Sequence, residues 1–159
     1  MTLMYLMKQN GMEVFDASTN AVNGGSIRIM VTHKEAKRPR SENLDYLLLK
    51  EKVLHLEDPQ TYEIFSKLIS MSAKRVREYI KKQKGLVIGL GASTKGNVLL
   101  QLCEIDKKLL PYISERNPFK VGLRTLGTDM QLISEEEARR KKPSCVFVIP
   151  WNFKSEIVE

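Results

Sequence analysis

Apolar residues recur along this chain with two different periods, and the change between them divides it. Met1–Asn10 carries apolar residues at positions 1, 3, 4, 6 and 7, the spacing of a helix face, and Gly11 ends the pattern. Met12–Asp16 reads as a strand, and Ser26–Thr32 (SIRIMVT) alternates apolar and polar residues as a half-buried strand does. The link between them, Ala17–Gly25, holds Asn23-Gly24-Gly25, residues that tolerate the positive φ of a turn. These segments predict a helix and an antiparallel strand pair, too small for a domain and with edges and an apolar face uncovered.

Lys34–Ser41 is a basic, proline-containing linker, and Asn43–Glu57 has an amphipathic helical pattern that stops before Asp58-Pro59. Thr61–Gln83 predicts a long helix, capped by Asp58 with Pro59 in its first turn, where a missing N–H does no harm. Tyr62, Phe65, Leu68, Ile69, Val76 and Ile80 form one apolar stripe opposite a basic, solvated face.

From Leu86 the pattern becomes strand, helix, strand. Leu86–Leu90 is a short apolar run that opens the glycine-rich stretch Leu86–Asn97, LVIGLGASTKGN. Gly89 and Gly91 let the backbone turn where a Cβ would obstruct, and Val98–Cys103 continues as an apolar helix. Ser93–Asn97 therefore lies at a helix N-terminus, where exposed N–H groups and the positive end of the helix dipole favour phosphate or another anion. The spacing G-x-G-x-x-x-x-G matches neither the dinucleotide fingerprint nor a Walker A loop. The segment reads either as an anion site or as a tight strand-to-helix turn without a ligand.

Leu109–Ser114 is a second strand, ending at Glu115-Arg116-Asn117-Pro118. Glu135–Lys142 is a short helix capped by Ser134, with acids in its first turn and bases in its last. Ser144–Ile149 is a third strand, apolar as parallel sheet interiors are. Such alternation predicts an α/β fold: a Rossmann-like open, mainly parallel sheet with flanking helices, preceded by the helix, antiparallel strand pair and long helix. Ligands of such sheets sit at the carboxyl ends of the strands, here Gly89–Asn97, Glu115–Lys120 and Pro150–Phe153.

The residue types on that rim suit recognition. Lys95 offers a point charge for phosphate, and Ser93 and Thr94 add hydroxyls beside Gly91, Ala92, Gly96 and Asn97. Glu115 follows Gly91 by about two dozen residues, the place of the acid that holds a ribose hydroxyl. Asn117, Lys120 and Asn152 offer hydrogen bonds to a sugar or base, and Trp151, next to Pro150, offers a face to cover a ring. Asn152 and Trp151 read equally as a helix cap and a packing residue, and Arg116-Asn117-Pro118 as a turn. No nucleophile–base pair stands out.

Composition narrows the partners. At 159 residues the chain is one domain or a domain with an appendage, and 42% hydrophobic with 28% charged residues suits a globular protein with a real core. A net charge of +7, concentrated in Lys34–Arg40, Lys74–Lys84 and Arg139–Lys142, admits nucleic acid, an anionic small ligand or an acidic partner. Aromatic residues are only 7% and are not interleaved with the basic runs, which argues against nucleic acid. Cys103 and Cys145, in separate apolar runs, read as buried reduced thiols of a cytoplasmic protein, and His33 and His55 as surface residues. MTLMYLMKQNGM lacks the features of a signal peptide, and no run reaches transmembrane length.

Taken in order, Gly24-Gly25-Ser26-Ile27-Arg28, GLGASTKGNVLL, ERNPFKVG, LGT and IPWNF resemble the C-terminal part of sugar C-methyltransferases. Those enzymes use S-adenosylmethionine and act on deoxysugars carried on nucleoside diphosphates. The likeness covers nearly the whole chain. Asn23 stands where the family usually has His, Glu115 where it has Asp, and Leu126 and Gln131 where it has proline. The resemblance implies that residues 1–33 are the end of a class I methyltransferase sheet and 34–84 a linker with helices. Residues 85–159 would be a nucleotide-sugar-binding lobe, with Gly91–Asn97 holding phosphate and Glu115, Asn117, Lys120, Pro150, Trp151 and Asn152 lining the sugar or nucleotide pocket.

A zinc-binding segment, the S-adenosylmethionine domain and a Glu-His catalytic segment would lie upstream, on the same polypeptide or on a separate chain. Methylation, through an enolate formed by an upstream base, would then need that missing methyltransferase half, and no cofactor is expected on this chain itself. The chain would be a piece of a longer protein, a truncated gene product or one half of a split enzyme. Its expected partners are a nucleoside-diphosphate sugar and the missing half, with neither membrane nor nucleic acid. Two other readings stand beside this one. A small domain could bind S-adenosylmethionine or a dinucleotide itself through Gly89–Gly91 and Glu115, or the chain could be a basic interaction module without a small ligand.

Overall fold

The computed structural model describes residues 2–158. It forms two compact units, one running through Phe65 and the other starting at Ser66.

In the first unit, α1 (Thr2–Gln9) ends at Gly11, whose φ of +69° makes the left-handed exit that glycine permits. Met1, the first position of the predicted stripe, lies outside the described residues. β1 (Met12–Asn20) and β2 (Ser26–His33) form a two-stranded antiparallel sheet, with a bulge at Phe15 between Val14 and Asp16. β1 runs four residues beyond the predicted Asp16, because Ala17–Asn20 pair with Ile29–Ser26 although their own pattern is polar. Asn23, at φ +54°, and Gly24-Gly25 make the turn.

α2 (Glu42–Val53) is capped by Ser41, whose Oγ accepts from the Leu44 N–H at 3.2 Å. It stops short of the predicted Glu57, since Leu54 caps it and His55 is left-handed at φ +50°. Val14, Ala17 and Leu44 form a small core with Met4, Met7 and Ile29 packed against it. Ile27, Met30 and Val31 of β2 remain exposed, Met30 on the side of the strand opposite Ile27 and Val31.

α3 (Pro59–Lys81) begins where Asp58 Oδ1 accepts from the Gln60 N–H at 2.9 Å. Its stripe is only partly buried. Ile80 is 4% exposed, whereas Tyr62, Phe65 and Leu68 are 54%, 60% and 57% exposed, so the amphipathic pattern overstates burial toward the start of the helix.

The second unit is a four-stranded, all-parallel sheet of β3 (Val87–Leu90), β4 (Tyr112–Glu115), β5 (Gln131–Ser134) and β6 (Cys145–Val148), in the order β5-β4-β3-β6. One face buries Val87, Ile113 and Leu132 with Leu100 of α4 (Thr94–Leu102) and Ile80 of α3. The other packs Ile88 and Ile133 against Ala138 of α5 (Glu135–Arg140), whose cap is Ser134, as the sequence predicts. A short α6 (Lys154–Val158) follows β6. Helices on both faces of a parallel sheet make this a Rossmann-like open α/β fold. β5 has no counterpart among the three predicted strands. Cys103 and Cys145 are free and half-buried rather than fully buried.

The closest approach in this unit is at Gly96 in the first turn of α4. A Cβ there would lie 2.0 Å from Ile149 Cγ2 and 2.8 Å from Ser93 Oγ. Gly96→Ala must displace buried Ile149 or tilt the helix, and we expect a loss of about 1–3 kcal/mol, read from urea denaturation. A neutral substitution would refute the packing argument.

Candidate functional site

In chain order the strands run β3, β4, β5 to one side, and β6 then returns to the other side of β3. The strand order thus reverses between the neighbours β3 and β6, and open α/β sheets commonly take ligands at the carboxyl ends of strands at such a reversal. The segment after β3 turns at Gly91, φ +81°, with its N–H donating to the Ser114 carbonyl at 2.8 Å. A Cβ on Gly91 would stand 2.9 Å from Pro150 Cγ, so the turn also lets the two loops meet.

Ser93 is the N-cap of α4. Its Oγ accepts from the Gly96 N–H at 3.0 Å, and its carbonyl accepts from the Asn97 N–H at 2.9 Å. The first turn of a helix leaves N–H groups without acceptors inside the helix, and the dipole adds partial positive charge there. Thr94 and Lys95 are exposed at this end.

Glu115 is 9% exposed and ties two loops together. Its Oε2 accepts from the Ala92 N–H at 3.0 Å and its Oε1 from the Asn117 N–H at 2.9 Å. Lys120 Nζ donates to the Ala92 carbonyl at 3.0 Å and lies 3.8 Å from Glu115 Oε2. The Asn117 side chain accepts from the Phe119 N–H at 3.1 Å and so caps the 3-10 turn Pro118–Lys120. Trp151–Phe153 is another 3-10 turn; Trp151 is 62% exposed, and Asn152 is half-buried.

A pocket of about 230 Å³ opens beside the capped helix start. Ala92, Ser93, Asn97 and Lys120 line it, over a floor that includes Leu100, Ile113 and Ile149. Asn97 Oδ1 is buried and has no hydrogen-bond partner. A second cavity of about 560 Å³, on the α5 side of the sheet, takes in Gly91 and Glu115. Thr94, Lys95, Gly96, Asn117, Pro150, Trp151 and Asn152 line neither.

The sequence reading missed Leu123, Arg124, Thr125 and Leu126, which complete the smaller pocket. Their position follows from pairing with the start of β5: the Leu132 N–H donates to the Leu123 carbonyl at 2.9 Å, and the Gly122 N–H to the Leu132 carbonyl at 2.8 Å. Gln131 N–H donates to the Pro111 carbonyl at 3.0 Å, a bond that proline at this position could not make. Asp129 bonds both Arg124 and Lys107, and these partners hold its carboxyl down to about 2. Among the described residues no three His, Cys, Asp or Glu are arranged to hold a metal ion, and no helix is long and apolar enough to cross a membrane.

A four-stranded parallel sheet with helices on both faces, and a capped helix start bordering a pocket, define the class as a Rossmann-like α/β domain. Residues 21–159 match the C-methyltransferase C-terminal domain, and the chain belongs to that family. It is 26% identical over 161 residues to the C-methyltransferase NovU of Streptomyces niveus, an alignment that takes in 99% of this chain. The chain spans 38% of the length of that relative.

Glu115→Ala leaves the partly buried Ala92 and Asn117 N–H groups without their acceptor, and we expect it to lower stability by about 1–2 kcal/mol in urea denaturation. Retention of full stability would mean the loops are held by other contacts. Asp129 titrates well below its unfolded value of 3.8, so its ion pairs contribute fully above about pH 4 and are lost as pH falls through about 2. Its carboxyl carbon resonance should accordingly have a midpoint near 2; a midpoint near 4 would show the pairs are not populated in solution.

Proposed function

We propose that this chain is the substrate-side part of an S-adenosylmethionine-dependent C-methyltransferase, and that its second unit binds a nucleoside-diphosphate-linked deoxysugar. The observation that carries this reading is the start of α4, capped by Ser93 and bordering the 230 Å³ pocket together with Lys120. In this reading the phosphate groups meet the first turn of α4 and Lys95, and a ring occupies the pocket over Leu100, Ile113 and Ile149. Asn117, Trp151 and Asn152 would border the more exposed part of the ligand.

The role of this chain is then to bind and orient. S-adenosylmethionine supplies the methyl group, and its site and the catalytic base are assigned to a further methyltransferase part. Glu115 supports that division, since both its oxygens already accept backbone N–H groups instead of facing a ribose. The exposed Ile27, Met30 and Val31 on a two-stranded sheet support a partner part beside the first unit.

A second reading, in which the chain itself binds S-adenosylmethionine or a dinucleotide, draws on the strand order β5-β4-β3-β6, the arrangement of half a dinucleotide fold. Calorimetric titration with dTDP and, separately, with S-adenosylmethionine divides the two. Saturable binding of dTDP alone supports the substrate-side reading; S-adenosylmethionine alone supports the second. Binding of neither, with only salt-sensitive association to polyanions, would leave a basic interaction module. Lys95→Ala should weaken dTDP binding roughly tenfold, about 1.4 kcal/mol, with an unchanged far-ultraviolet spectrum. Equal affinity would remove Lys95 from the site.

A further inference from the structure

We propose that Arg124, oriented by Asp129, is a phosphate-binding residue of the pocket beside the glycine-rich loop. The inference deepens the proposed function and rests on it, because it takes that pocket to hold a phosphorylated ligand.

Three observations meet at Arg124. It lines the same pocket as Ser93 and Lys120, so Arg124 and the capped start of α4 border one space. Its guanidinium is held along one edge: Nε donates to Asp129 Oδ1, and Nη2 donates to the Asp129 backbone carbonyl at 2.9 Å. A guanidinium carries five N–H donors, so this tether leaves three of them, on the edge away from Asp129, as a preset fork. The side chain is 51% exposed, which leaves that fork open to a ligand. A fork of this kind matches two oxygens of one phosphoryl group, which a lysine ammonium cannot do.

The tether is itself fixed by the backbone. The Asp129 N–H donates to the Thr125 carbonyl at 3.1 Å, and the Thr125 and Thr128 hydroxyls are bonded to each other at 2.6 Å. Thr125 N–H donates to the Met130 carbonyl at 3.0 Å, so residues 124–131 close on themselves. Asp129 sits at φ +54°, a left-handed conformation that Asp tolerates better than most residues.

The charge balance also favours an anion. Lys107 shares Asp129 with Arg124, and Lys120 lies by Glu115, so three cations face two carboxylates in this cluster. Both Glu115 oxygens are already taken by backbone N–H groups, which mutes their repulsion of an incoming phosphate.

Equilibrium titration of the whole chain with dTDP tests this, with thymidine as a competitor that lacks phosphate. Arg124→Ala should weaken dTDP roughly tenfold or more while leaving thymidine affinity unchanged. Arg124→Lys, which keeps the charge and loses the fork, should fall between. Asp129→Asn should weaken dTDP by less, and that weakening should disappear in the Arg124→Ala background, where there is no guanidinium left to orient. The proposal is overturned if Arg124→Ala and wild type bind dTDP equally, or if thymidine binding falls as much as dTDP binding. In those cases the proposed function still stands. If wild type itself fails to bind dTDP, the proposed function falls and this inference with it.

Discussion

The close contact between the first turn of α4 and the chain leaving β6 is the constraint on which the rest of the rim depends. Gly96 lets the helix backbone rest on Ile149, and Gly91 does the same for the neighbouring loop on Pro150. Ile149 belongs to the same apolar cluster as Leu100, Ile113 and Leu132, so the core extends to the floor of the pocket. Close packing there fixes where the capped end of α4 points, because a helix seated on a dense core cannot tilt without opening a void. The capped first turn of α4 thus has a rigid mount instead of a flexible loop.

Polar contacts finish what the packing begins. Glu115 is an acid within a basic rim, and its geometry explains why it is tolerated there: two backbone N–H groups satisfy it and Lys120 stands close by. Its work is to hold the segments after β3 and β4 at a set distance. Asp129 does a comparable job for Arg124 and Lys107. Donors that are oriented before a ligand arrives lose less freedom when it binds, which favours recognition of one geometry over another.

The first unit follows a different logic. Its core is small, and Ile27, Met30 and Val31 of the two-stranded sheet are exposed. A sheet of two strands has little stability of its own in water and normally packs against further structure. The chain belongs to the C-methyltransferase C-terminal domain family and spans 38% of the length of a related C-methyltransferase.

By itself the sequence determined the local elements and the class of fold. Caps at Ser134 and Asp58 were legible because a side chain that accepts an N–H two or three residues ahead is a local event, whereas Ser93, read as a hydroxyl for a ligand, turned out to cap α4. The apolar runs at β3 and β6 and the glycine-rich turn between strand and helix were legible for the same reason. What only the tertiary structure decided depends on partners distant in sequence. Gln131–Ser134 has only Leu132 and Ile133 as apolar residues, so it does not declare itself and becomes a strand by lying beside β4. Ser18, Thr19 and Asn20 extend β1 because β2 pairs with them. Tyr62, Phe65 and Leu68 share a stripe with Ile80, yet periodicity records which residues share a face and says nothing of whether anything covers it. Leu123–Leu126 reach the pocket through pairing with β5, while Trp151 and Asn152, on the predicted rim, line neither cavity. Short-range hydrogen bonding and periodicity are written in neighbouring residues, whereas the composition of a pocket is set by which loops the strand order brings together.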